Sequence, residues 1–132
     1  MSDDELKRAL QELRHRIINC QLTLDDVSAV TAMFKREKIT KLSNELTSIS
    51  QSLVEVEDVF DENVTIPEHI SEVTRRAAQL NILFNLRLTT NEALKGAKST
   101  LEQLRTDINF YRSLAISLFA LLCSIVSIFS SI

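Results

Sequence analysis

One glycine, one proline and no tryptophan in 132 residues leave little from which to build a compact mixed fold. Tight connections consume glycine and proline, which supply left-handed and pre-bent backbone at low cost. Their scarcity excludes an architecture of many short strands and points to an all-α chain of long helices. Cys20 and Cys123 are the only cysteines, too few for a disulfide framework, and a reducing compartment fits the polar part of the chain. His15 and His69 lie in different segments, and neither has a nearby nucleophile in sequence. No Gly-rich phosphate loop, nucleophile elbow or Cys/His cluster is present. The chain therefore reads as non-enzymatic, with no catalytic, cofactor-binding or metal-ligating residue and no small-molecule substrate expected. A formal net charge of -3 argues against nucleic acid as a partner.

What is present is one uninterrupted apolar run. Residues 113–132 carry no charge, no Pro and no Gly, and Arg112 stands at their threshold. At a rise of about 1.5 Å per residue, a helix of this length crosses the ~30 Å hydrocarbon core of a bilayer. Leu114, Ile116, Phe119, Leu122, Ile125 and Val126 distribute apolar surface all round the helix, so no polar face remains. Serine hydroxyls within the run can bond back to the carbonyl four residues earlier. This predicts a single-pass transmembrane anchor at the C-terminal end of the sequence. The opening Ser2-Asp3-Asp4-Glu5 is acidic where a secretory signal is basic, so a tail-anchored topology is expected. Arg105 and Arg112 before the run agree with an N-terminal part in the cytosol.

Upstream, apolar residues recur at alternating spacings of three and four. Ser2 to Glu5 has the form of a capping box, predicting a helix that starts there. Leu6, Leu10, Leu13, Ile17, Cys20, Leu24 and Val27 form its seam, and His15 falls off it as a solvated residue. Thr23 could cap a second helix, which would place a turn at 21–24. After Phe34 the apolar phase slips, marking either a skip inside a continuous coil or a bend between helices. Lys35, Arg36, Lys38 and Lys41 at this point read as an ordinary solvated face rather than as a lipid-attracting patch, since Glu37 interrupts them. The next seam is Ile39, Leu42, Leu46, Ile49, Leu53, Val56 and Phe60.

Pro67 marks the best break. It disfavours helix at Ile66 and suits the first turn of a new helix. The surrounding acids, Glu55 to Glu72, lack the spacing and central glycine of a calcium loop and suit a helix N-terminus. The chain thus divides into an N-terminal helical or coiled-coil region at 1–62, a turn at 63–67, a membrane-proximal coiled-coil helix at 68–112 and the anchor at 113–132. In the third part, Ile70, Val73, Ala77, Leu80 and Phe84 are predicted as a first seam. After a local phase shift, Leu94, Ala97, Leu101, Leu104, Ile108 and Tyr111 continue one towards the apolar run. Gly96 lies inside this helix, a cost that a closely approaching neighbour would justify.

Two functions fit these patterns. One is a membrane-anchored coiled-coil scaffold that recruits helical protein partners or self-associates, with Leu94, Ala97, Leu101, Leu104, Ile108 and Tyr111 as the partner-binding seam. The other rests on a resemblance. The series Leu80, Leu83, Arg87, Thr90, Leu94, Ala97, Leu101, Leu104, Ile108 and Tyr111, followed at once by an apolar run, resembles a SNARE helix with a central arginine layer. That resemblance covers about a third of the chain; it implies a role in vesicle trafficking and membrane fusion, with Arg87 as the candidate polar-layer residue. A viral membrane protein would share the same physical description.

Overall fold

The computed structural model describes residues 2–63 and 70–132, and their architecture is all-α. Helix α1 spans Asp3–Asp25, α2 Ala29–Phe34, α3 Arg36–Asn63 and α4 Ile70–Ser130, with no strand among the described residues. The turn expected at 63–67, including Pro67, lies outside the described residues apart from Asn63, which ends α3. The side chains of Asp61, Glu62, Glu68, Ile70 and Glu72 lie outside them as well.

The capping box forms. Ser2 Oγ accepts from the Glu5 backbone N–H at 3.3 Å, and Glu5 Oε2 accepts from the Ser2 N–H at 3.0 Å. Asp3, Asp4 and Glu5 place negative charge where the helix dipole is positive. The α1 seam is then buried from Leu6 through Leu24. No turn occurs at 21–24. Thr23 instead returns its hydroxyl to the Asn19 carbonyl at 2.9 Å, so it needs no cap position, and the helix runs on to Asp25. Ser28 is the residue that starts α2, accepting from the Thr31 N–H at 3.2 Å. The phase slip after Phe34 is a bend between helices at Lys35, whose φ of -120° and ψ of 58° break the helical path.

Three long helices form a bundle around one core. Asp3 pairs with Arg76, and Gln21 Nε2 donates to Thr100 Oγ1 at 3.0 Å, so α1 runs parallel to α4. Arg105 donates to Ser43 Oγ at 2.9 Å, Lys98 to Ser50 Oγ at 3.2 Å, and Asn91 to Glu57 Oε1 at 3.1 Å, so α3 runs antiparallel to α4. Arg16 and Glu45, 2.8 Å apart, fix α1 against α3 in the same sense. All seven predicted seam positions of α3, from Ile39 to Phe60, are buried. Full burial of one such side chain contributes about 1.5–3 kcal/mol, whereas an exposed ion pair contributes about 0–1 kcal/mol. The apolar seams therefore hold the bundle, and the polar ties set its register.

The first half of α4 departs from the sequence expectation. Val73, Ala77 and Phe84 are exposed, and Leu83 is buried in their place. The phase shift is absent: positions 76, 80, 83, 87, 90, 94, 97, 101, 104 and 108 alternate by four and three without interruption. Arg76, Arg87 and Thr90 hold three of them, so a seam traced through apolar residues alone strays onto the neighbouring face. At Gly96 no neighbour approaches, because nothing lies within 4 Å of an added Cβ.

Beyond Ile108 the bundle ends, while α4, 61 residues long, continues to Ser130. The apolar part of this helix is long and apolar enough to span a membrane, and none of its most apolar stretch is buried within the chain. Ser117, Ser124 and Ser131 return their hydroxyls to the carbonyls of Ser113, Ala120 and Ser127 at 2.9, 2.9 and 3.0 Å. These serines therefore expose no unsatisfied donor.

Candidate functional site

The seam of α4 is the feature to which sequence reasoning assigned partner binding. The structure places Leu94, Ala97, Leu101, Leu104 and Ile108 in the intramolecular core, with Ala97 fully buried. In this conformation α1, α2 and α3 of the same chain cover them. Tyr111 differs: it is 41% exposed and packs its ring edge against Phe110, with centroids 5.7 Å apart. A helix from another protein reaches the five buried side chains only after one or more of α1, α2 and α3 has moved away.

Arg87 lies midway along the seam, and its environment is built by α3. Its Nε donates to Glu57 Oε1 at 3.3 Å, and the guanidinium lies 5.2 Å from the Phe60 ring centroid. The same Glu57 oxygen accepts from Asn91, and Phe60 meets Phe84 edge-on at 5.1 Å. Arg87 and Glu57 each keep about a third of their side-chain surface in water, so this is an edge pair rather than a desolvated one. One turn on, Thr90 is fully buried and satisfies its hydroxyl on the Leu86 carbonyl at 2.7 Å. A buried polar group with a partner inside its own helix costs little and leaves the neighbouring core dry.

Sequence reasoning missed two arrangements. The Asp3–Arg76 pair joins the start of α1 to α4, and only a parallel alignment of two segments far apart in sequence makes it visible. The second is at the opposite end, where the basic run after Phe34 lies beside the residues that precede the apolar segment. A surface cleft of ≈ 300 Å³ there is lined by Arg36, Thr40, Arg105, Asn109 and Arg112 among others.

Cys20 is buried in the α1 seam, and its thiol is pushed above the ordinary value, first by burial and then by Glu45, with Arg16 opposing. Such a thiol is a packing group and a poor nucleophile at neutral pH. Among the described residues no group of three or more His, Cys, Asp or Glu side chains is placed to hold a metal.

Comparison with family models, curated proteins and solved structures gives no match to this chain.

Proposed function

We propose that the chain is a non-enzymatic, single-pass membrane protein that holds a helical bundle at the cytosolic face and recruits helical protein partners. The observation that carries this reading is the continuity of α4: one helix supplies a core wall of the bundle as far as Ile108 and then becomes the apolar segment, with no connecting linker. Residues 113–132 are the anchor, and the bundle is the part offered to partners. Recruitment through Leu94 to Ile108 requires the bundle to open; recruitment by its outer faces does not.

Carbonate extraction tests the anchor. The full chain is expected to stay in the membrane pellet while a chain ending at Arg112 is released; equal release of both overturns the proposal. Purification from detergent-solubilised membranes then identifies co-purifying chains. Recovery of the protein without helical partners and as a monomer would refute the recruiting role.

The placement of Arg87 supports a second reading, a SNARE-like fusion protein whose α4 seam is held closed by α1 and α3. Here Arg87 exchanges Glu57 and Phe60 for polar partners on other helices. In a vesicle-fusion assay this reading expects Arg87→Glu to impair fusion far more than Arg87→Gln. The scaffold reading expects both to be mild, since each partner of the Arg87–Glu57 pair keeps about a third of its side-chain surface in water.

A further inference from the structure

The basic run after Phe34 acquires a neighbourhood that its sequence context does not reveal. Ala32, the buried residue of α2, lines one cleft with Ile39, Ile108 and Arg112, which brings the junction of α2 and α3 level with the last residues of α4 before the apolar segment. Ile108 precedes Ser113 by only about 8 Å along a helix, and the headgroup layer on each side of a bilayer is about 5–8 Å deep. If 113–132 is the anchor, the α2–α3 junction is carried into that layer. This inference rests on the anchor reading above.

The residues at the junction suit that place. Phe34 is 84% exposed, and Lys35, Arg36, Lys38 and Lys41 are all exposed beside it. Among the described residues Lys35, Arg36, Lys38, Lys41 and Arg112 form no salt bridge. Arg105 is partly neutralised by Glu102 at 3.4 Å, and Glu37 is the one acid within the run. Asp25 and Asp107 line a separate cleft between α1 and α4. The α3–α4 side of this end is therefore cationic, with a bare aromatic ring next to it. Cations at an anionic lipid surface are attracted by about fivefold in association per residue, and an apolar ring such as that of Phe is buried at the boundary between headgroups and acyl chains.

We propose that the α2–α3 junction is a second membrane contact, specific for anionic lipid headgroups. Lys35, Arg36, Lys38 and Arg112 meet the lipid phosphates, Lys41 adds to the field, and Phe34 enters the interfacial layer. The anchor fixes the protein in the bilayer, and this contact selects the lipid around it and presses the bundle against the surface.

The absence of tryptophan supplies the test. Phe34→Trp places a single indole at the junction of the full chain, which is reconstituted in vesicles of phosphatidylcholine alone or mixed with phosphatidylserine. Expected in the mixed vesicles, relative to phosphatidylcholine alone, are a further blue shift of the emission and stronger quenching by brominated acyl chains, both reversed by high salt because the Debye length shortens. Combining Phe34→Trp with Arg36→Glu, Lys38→Glu and Lys41→Glu should abolish the shift. The charge-matched Lys7→Glu, Arg8→Glu and Arg14→Glu should leave it intact, since Lys7 lies beside Ile82 and Leu83, about 45 Å from Ser113. Should circular dichroism show the first triple variant unfolded, Arg36→Gln with Lys38→Gln replaces it, and a weakened shift is expected. Identical emission in both vesicle types, or a shift that survives loss of the basic residues, overturns the proposal. So does the same shift produced by inorganic phosphate with phosphatidylcholine vesicles, which would assign the site to a soluble anion. Carbonate washing of the vesicles separates the two readings: release of the protein refutes the anchor and this inference with it, whereas retention without a lipid-dependent shift refutes this inference alone.

Discussion

Gly96 is exposed on α4 with open space where a Cβ would stand. Replacing it removes backbone entropy from the unfolded chain and adds no clash, so Gly96→Ala should stabilise the bundle by about 1 kcal/mol. Thermal denaturation followed by circular dichroism should show a higher midpoint; a lower one would mean that another chain closes on this position. Cys20 gives the opposite case, a side chain enclosed by its own fold. With Cys123→Ala as background, alkylation of Cys20 at neutral pH should be slow in the native protein and rapid in denaturant. The fold favours the neutral thiol, so its contribution is complete below the ordinary thiol value. It declines as pH rises past that value, where the unfolded chain already binds fewer protons. Cys20→Ala should therefore lose less of its remaining stability than the natural chain does on the alkaline side. A melting-temperature series against pH in which both decline in parallel would contradict this.

At the scale of a helix, the decisive element is the lower half of α4. Leu101 is buried against the helices of its own chain, and Leu101→Ala should cost about 2–5 kcal/mol, read as a reduced denaturant midpoint. Leu101→Asp with Leu104→Asp places two carboxylates in the core and should melt the bundle while 113–132 remain membrane-embedded. Loss of partner binding by that pair alone would thus report unfolding, and retained helical melting would show that the seam is wet. The seams of α1 and α3 were legible from spacing because every position in them is apolar or thiol. In the upper half of α4 the series Leu80, Leu83, Arg87, Thr90 and Leu94 follows the covered face, whereas the apolar seam through Val73, Ala77 and Phe84 does not, because Arg76, Arg87 and Thr90 occupy seam positions whose burial depends on Asp3, Glu57 and an internal carbonyl. The turn that Thr23 left open at 21–24 does not form for a related reason, since Thr23 has the chemistry of a cap and spends it inside the helix.

For the whole molecule, periodicity tells which face of a helix is covered but not which chain covers it. That is why residues 94–108 read as a partner surface and are found in the core, and why the neighbours of the basic run stayed hidden until α3 was seen to return along α4. The apolar segment needed no such context, as length and freedom from charge define it. Its junction with the bundle has a mechanical consequence. If 113–132 spans a bilayer, then because α4 passes from one to the other without a flexible joint, the bundle would be a lever whose fulcrum is the lipid surface. Its far end, near Arg76, lies about 55 Å from Ser113 along the helix axis. Membranes of different thickness tilt a spanning helix to different degrees, and a change of about 10° would sweep that end through about 10 Å. Bilayer thickness would then set how far above the surface, and in which direction, a partner is met.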